Sequence, residues 1–593
     1  MKQLDGRALY YGFVAGANAV VEQKDMLNRI NVFPIADGDT GSNLVFTMRA
    51  IVDEATIAET TKATLESISE AALVGARGNS GIIFAQFVRG FSTAIGDVKD
   101  ISVQDFAAAV KKAVPYAYEA VANPTEGTIL TLMEDWANSL TYLHGRAKDF
   151  EELFSQSLDT ALTSLEDTPN KLQVLKRAAV VDSGAKGFFH FLEGFYNFVK
   201  DGRALAAVEA DEAFEFDLDE TYAAVDEDIA HRYCTEALIT GNGLSTDAIK
   251  DSLQDLGDSL IVAGGDTKVR VHMHTNQPET LMLRLRKAGT ITQQKVDDMQ
   301  RQSDVIHRRQ SSVALVTDSI ADIPQKIVDQ QQIHMVPLNV MMEGSAYVDR
   351  LTITSGTIYT LLDAMDEYPT SSQPNARSVE QVFSFLSKHY DSIIVLSVSQ
   401  GLSGTFSTFV NAAKRFQEQG ARIDVIDSKL NSGAQGLVAV KAAEAIAEGR
   451  NHDEVMARIE EWIAKSKIYV SVHTLKYMLR SGRISSTLAV AAKLLNLKPV
   501  VSLDEKGKGS IFGKAFSTKG NTRLIRKTVQ AIFQQQGIAD YCVVHASAPE
   551  RAQEYARIFT EMTGREPKYI MDVSAITALS AGIGSTGIAL ITE

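Results

Sequence analysis

Leu4, Ala8, Tyr11, Ala15 and Ala19 recur at helical spacing, and the same periodicity continues to about residue 205 with few β-branched alternations. This predicts an all-helical first domain over 1–205, interrupted by four runs of small and polar residues at 31–43, 75–81, 123–128 and 181–187. The run 209–220 packs acids between apolar residues and marks a boundary. Beyond it the pattern shortens to period two: 233–239, 259–263 and 268–274 predict strands of a small α/β domain over 225–300. The polar stretch from about 276 to 310 predicts a helical connector. From Ser311 onward, apolar runs at 313–316, 393–398, 423–426, 469–472, 541–544 and 587–591 alternate with helical segments. That alternation predicts an α/β region over 311–593 with a mostly parallel sheet. The fold class is therefore multidomain: a helical N-terminal domain, a small α/β middle domain and an α/β C-terminal region.

Composition narrows the function classes. The 593 residues carry 59 basic and 74 acidic side chains, a net charge of −15, and the pI near 5.3 disfavours nucleic acid or an anionic membrane as main partner. Only Cys234 and Cys542 occur, so no disulfide framework is expected. The charged start Met-Lys-Gln-Leu-Asp-Gly-Arg and the absence of any run of about 18 apolar residues argue against a signal peptide and stable membrane insertion, so a cytoplasmic protein is expected.

Candidate chemistry concentrates in Asn31-Val-Phe-Pro-Ile-Ala-Asp-Gly-Asp-Thr-Gly-Ser-Asn43. Asp37 and Asp39 flank a glycine that lets a tight turn aim both carboxylates inward, as Mg²⁺ with its hard oxygen ligands requires. Gly41 lets backbone amides approach an anion, and Thr40, Ser42 and Asn43 stand where a helix opens and favours phosphate. An Asp/Gly turn capping a helix meets the same pattern. Each of the other loops, read alone, also suits a helix cap or interhelix turn, whereas four in one helical domain can meet at one end of a bundle. In the middle domain His272 and His274 lie two apart on a strand and share a face, and with Cys234 they would supply three ligands of a tetrahedral Zn²⁺ site; an ordinary strand surface is the alternative. In the C-terminal region a strand runs into Leu402-Ser-Gly-Thr405, a turn that can hold a carboxylate or phosphate or simply cap a helix.

Taken together, Asn31 to Asn43, Gly78-Asn-Ser-Gly81, Glu126-Gly-Thr128 and Asp182-Ser-Gly184 resemble the nucleotide loops of DhaL-type kinase domains, found in dihydroxyacetone kinases and the bacterial fatty acid kinase. The resemblance implies an antiparallel helix barrel with ATP at one end. It also implies Mg²⁺ on Asp37 and Asp39, and ADP surrounded by Thr40, Gly41, Ser42, Asn43, Asn79, Ser80, Gly127, Thr128, Asp182 and Gly184. Asn31 stands where the dihydroxyacetone branch has a third carboxylate. Tyr-Cys-Thr-Glu at 233–236 and Val-His-Met-His-Thr-Asn at 271–276 resemble the middle domain of fatty acid kinase and strengthen the zinc reading of Cys234, His272 and His274.

Residues 311–593 resemble the DegV family of fatty-acid-binding proteins through Val316-Thr-Asp-Ser319, Ser371-Ser-Gln-Pro374, Leu402-Ser-Gly-Thr405, Ile426-Asp-Ser-Lys429 and Arg480-Ser-Gly-Arg-Ile484. There the resemblance implies a fatty carboxylate held by Ser371 and Ser403, with Gly404 and Thr405 in the same turn. Two positions depart from the family: Ser580 replaces a histidine near the carboxylate, and Phe516 stands where an arginine used in docking to the kinase is common. The implied activity is a single-chain fatty acid kinase that uses ATP and Mg²⁺ to make an acyl phosphate from a long-chain fatty acid. A downstream acyl-phosphate acceptor enzyme and self-association remain open as partners. The alternatives are a kinase of dihydroxyacetone or another small polyol, and an ATP-binding fatty acid carrier or sensor without turnover.

Overall fold

The computed structural model describes residues 1–33, 38–202, 229–362, 365, 367–482 and 498–593. Asp37, the acidic run 209–220 and the last two residues of the 480–484 motif lie outside them. The chain forms two compact units, Met1–Ser303 and Asp304–Glu593.

In the first unit, helices follow one another around a closed ring. Gly6–Glu22 packs on Thr40–Glu54, and the ring runs through Gly78–Ala94, Val103–Ala120, Ile129–Leu143 and Phe150–Lys171 to Ser183–Asp201, which returns to the first helix. Helix periodicity turns Phe13, Phe84, Phe106, Phe154, Phe188, Phe191 and Phe195 inward, where their rings meet mostly edge to face. The first and last helices approach closely because a Cβ at Gly16 would lie 2.8 Å from the Phe191 carbonyl oxygen, and one at Gly194 2.5 Å from that of Ala15. One departure from an all-helical domain is a short antiparallel pair, Gln3–Asp5 with Asp100–Ser102.

The middle sheet is antiparallel, in the order Gly257–Gly264, Lys268–Thr275, Tyr233–Thr240, Thr290–Asp298. The last of these corrects the expectation of a helical connector: within 276–310 only Pro278–Ala288 and Met299–His307 are helical, and Thr290–Asp298 is an edge strand paired with Tyr233–Thr240. Its sequence, TITQQKVDD, hides it, because a strand with a charged face carries no apolar alternation. Both faces of Lys268–Thr275 are covered. Val269, Val271 and Met273 are fully buried among apolar neighbours, while Arg270, His272 and His274 are buried on the opposite face. The sheet is tied to the helical ring by Gly264 N–H to Gln86 Oε1 at 3.1 Å and by Ala122 N–H to the Leu260 carbonyl at 3.0 Å.

The second unit contains a parallel sheet, ordered Ile423–Asp427, Ser392–Ser397, Val313–Asp318, His334–Val336. It also holds a three-stranded antiparallel sheet centred on Asn339–Met342. A six-stranded sheet follows, ordered Gly509–Ala515, Lys498–Leu503, Ser466–Ser471, Thr586–Ile591, Asp540–His545, Ile570–Asp572. This last sheet corrects the expectation of one mostly parallel sheet: four of its five pairings are antiparallel, and only Asp540–His545 with Ile570–Asp572 runs parallel. Apolar strand runs look alike in either direction. The C-terminal strand Thr586–Ile591 enters between two strands far back in the chain, a pairing that local pattern does not encode.

Candidate functional site

Four helices of the ring begin at the four predicted loops, at Thr40, Gly78, Ile129 and Ser183, and these N-termini are brought together. A Cβ at Gly78 would lie 2.4 Å from Asn43 Nδ2, and one at Gly184 2.5 Å from Ser80 Oγ. Asp182 caps its own helix, its Oδ2 accepting the Ala185 amide at 2.7 Å, and its own amide donates to Thr168 Oγ1 at 3.1 Å. Burial pushes the Asp182 carboxyl up to about 6, with backbone amides, the Ala185 one foremost, drawing it back down. Converging helix dipoles make this end of the ring suited to an anion.

The loop around residues 38–43 is fixed from beneath. Asn28 Oδ1 accepts the Ser42 amide at 3.0 Å, Asn28 Nδ2 donates to Ser42 Oγ at 3.0 Å, and Thr40 Oγ1 donates to Asn31 Oδ1 at 2.8 Å. Gly41 is required, since a Cβ there would lie 2.2 Å from the Lys24 carbonyl oxygen. Asp39 is the N-cap residue of the helix Thr40–Glu54, and its side chain makes no capping hydrogen bond. Gly127 has φ +81°, and Thr128 Oγ1 donates to the Thr125 carbonyl at 2.8 Å, so that hydroxyl serves its own loop. Asn79 Oδ1, between Gly78 and Ser80, is buried with no hydrogen-bond partner, which fits a polar ligand such as a nucleotide.

Period-two alternation on neighbouring strands gathers a second cluster. Cys234 pairs in register with His274, and Glu236 with His272. The ligand-capable atoms of Cys234, His272 and His274 lie within 4.8 Å of one another, and Cys234 Sγ is 3.9 Å from His272 Nδ1. His272 Nε2 is buried and has no partner. Burial, followed by the neighbouring His272 and His231, pushes His274 down to about 3, so its ring is neutral, the form that ligates metals. A sulfur and two imidazoles in this arrangement fit zinc.

Several residues of this cluster were not predicted. Glu236 is 2% exposed; its Oε1 accepts the Gly78 amide at 2.7 Å and stands 3.4 Å from His272 Nδ1, while its Oε2 accepts from Arg77 at 3.1 Å and from Arg270 at 3.2 Å. Burial alone would raise its carboxyl, but the His272 hydrogen bond and the charges of Arg270, Lys295 and Arg77 hold it well below the carboxylate range. Lys295 and Asp297, on the edge strand, stand beside Glu236 and Cys234 in register and pair with each other. Asp39 is near enough to act on the charges of both Lys295 and Cys234. The available signal was spacing: Glu236 is two residues from Cys234, and Arg270 two from His272, hence on the same strand faces.

In the second unit, Ser371 and Ser403 line one cavity, whose wall is otherwise largely apolar and includes Ile468, Val470, Val501 and Val544. Ser403 Oγ is 2.8 Å from Thr405 Oγ1 and accepts the Thr405 amide at 3.2 Å, at the start of the helix Thr405–Glu418. A Cβ at Gly404 would lie 2.4 Å from Gln373 Oε1, so the two predicted loops touch. Ser580, in the place of the expected histidine, lines the same cavity. Phe516 is 75% exposed.

Residues 34–197 match the DAK2 domain, residues 230–306 the middle domain of fatty acid kinase A-like proteins, and residues 312–593 the DegV family, described as an uncharacterised protein family. In series, the chain thus matches a DAK2 domain, a fatty acid kinase A-like middle domain and the DegV family. An uncharacterized protein of Staphylococcus epidermidis is 33% identical over 345 residues, 54% of this chain and 62% of that protein. Protein YloV of Bacillus subtilis is 32% identical over 325 residues, 53% of this chain and 59% of YloV. The chain therefore spans less than two thirds of these relatives. Among solved structures, a fatty acid binding DegV family protein from Thermus thermophilus is 27% identical, covering 47% of this chain and 99% of its own at a TM-score of 0.44. The fatty acid binding protein DegV from Bacillus subtilis is 28% identical, covering 48% and 100% at 0.44. The DAK2 and middle-domain matches point to a kinase family. Among the described residues no helix is long and apolar enough to cross a membrane.

Proposed function

We propose that the chain is a fatty acid kinase in which the DegV region holds a long-chain fatty acid and the DAK2 domain transfers the γ-phosphoryl group of ATP to its carboxylate, giving an acyl phosphate and ADP. The observation that carries the kinase half is the convergence of four helix N-termini, with Asn79 Oδ1 unpaired and buried among them. In this reading Thr40, Gly41, Ser42, Asn43, Asn79, Ser80, Gly127, Thr128, Asp182 and Gly184 surround the nucleotide, and Asp37 and Asp39 hold Mg²⁺. The metal supplies charge neutralisation of the phosphates when bound. Cys234, His272 and His274 hold zinc.

The reaction needs no general base. A fatty carboxylate is ionised at neutral pH, so one of its oxygens forms the new bond to the γ-phosphorus while the bond from that phosphorus to the β-phosphate's bridging oxygen breaks. ADP leaves with the electron pair, and no proton moves. The chain's residues act by placing the two reactants in line. Ser371 and Ser403 fix the head group, with Ser580 offering a further hydroxyl in the same cavity, and the apolar wall takes the tail, where each buried CH₂ contributes about 0.8 kcal/mol.

The two alternatives are separable in one assay of ADP release by the full chain. Fatty acid, and not dihydroxyacetone, is expected to stimulate release. Stimulation by dihydroxyacetone alone would move the substrate to a polyol, and fatty acid binding with no ADP release would leave a carrier.

A further inference from the structure

The candidate zinc cluster and the candidate nucleotide loops share one side chain. Glu236 Oε1 both accepts the amide of Gly78, the first residue of the helix that carries Asn79 and Ser80, and lies 3.4 Å from the Nδ1 of His272. Its other oxygen is clamped by Arg77, immediately before the same loop, and by the fully buried Arg270. Because a carboxylate hydrogen-bonded to a ligating histidine fixes that ring, whatever orders His272 also orders the atom that anchors the start of the Gly78–Ala94 helix.

We propose, on the nucleotide and zinc reading given above, that Glu236 is a positioning residue that couples metal binding at Cys234, His272 and His274 to nucleotide binding at the Gly78–Ser80 loop, each ligand tightening the other. The sign follows from the sharing itself: ordering the common carboxylate once serves both ligands, so the second to bind finds it already in place. The middle sheet is then a sensor of metal occupancy as well as a support, and the enzyme's ATP affinity depends on zinc supply.

The test uses the full chain, stripped of metal with a chelator and divided into zinc-free and zinc-loaded portions. Mg-ADP is titrated into each by calorimetry, and Zn²⁺ is titrated with and without Mg-ADP against a competing chelator. Coupling free energies are reciprocal, so the same factor, roughly fivefold or more, is expected in both directions. In Glu236→Gln each ligand should still bind while the factor falls to one. The wild-type measurement stands even if that variant folds poorly, and a purely structural role would lower the variant's melting temperature without changing the factor. A wild-type chain that binds both ligands with a factor of one, or a Glu236→Gln chain that keeps the wild-type factor, would overturn the coupling alone. Failure of the wild type to bind Zn²⁺ at all would overturn the metal site and the coupling with it.

Discussion

Ser403 has two partners within its own turn, the Thr405 amide and hydroxyl, and in the proposed site it also meets the fatty carboxylate. Replacing it with alanine removes one hydrogen bond to a charged group, worth roughly 1.5–3 kcal/mol, while the buried tail still supplies most of the affinity. Ser403→Ala should therefore copurify with lipid, detected by mass spectrometry, but lose about ten- to a hundredfold in turnover. Normal turnover would remove Ser403 from the site. Asp349 offers an independent check on the second unit. It is fully buried, and burial pushes its carboxyl up to about 6 despite the neighbouring Arg350. A raised folded value means that the stability it contributes is complete below its unfolded value near 4 and is lost as the pH rises through about 6. Relative to wild type, Asp349→Asn should gain about 2 kcal/mol between pH 4 and pH 8, measured by denaturant unfolding at both; a difference that does not change with pH would contradict this. Single residues with unusual chemistry, such as Asp39, Asp182, Cys234 and Ser403, are legible in the sequence because each sits in a short run of small neighbours. Glu236 and Arg270 are not: their meaning comes from which strands pair and from what covers that face.

At the scale of elements, the nucleotide end depends on where the second of the four helices starts. Gly78 has φ +58° and stands against Asn43, so alanine there pays the left-handed cost of about 1–2 kcal/mol and pushes on the first loop as well. Gly78→Ala should weaken Mg-ADP binding about tenfold in calorimetry, leaving fatty acid content unchanged; undiminished nucleotide affinity would separate this loop from the site. The helical ring was readable because its amphipathic periods are long and its breaks are clusters of glycine, serine and aspartate. The strand Thr290–Asp298 was not, since Lys295 and Asp297 occupy the face turned toward Glu236 and Cys234 and leave no apolar alternation to detect. The direction of pairing in the six-stranded sheet was equally hidden, because the same apolar run serves a parallel or an antiparallel neighbour.

On the scale of the whole molecule, one chain matches three family models in series, and the structure gathers the candidate motifs within two compact units. The first unit holds the candidate nucleotide loops and the cysteine–histidine cluster, and the second holds the apolar cavity with Ser371, Ser403 and Ser580. The proposed reaction has a product with a distinctive reactivity: an acyl phosphate is captured by hydroxylamine as a hydroxamate, whereas a bound fatty acid is not. The deciding measurement is therefore ADP and acyl hydroxamate formed together by the full chain with ATP, Mg²⁺, a long-chain fatty acid and hydroxylamine. Equal amounts of the two from the wild type, and neither from Asp39→Ala that still carries lipid, are predicted. Lipid-loaded wild-type protein that forms no hydroxamate, whether or not it releases ADP, would contradict the account.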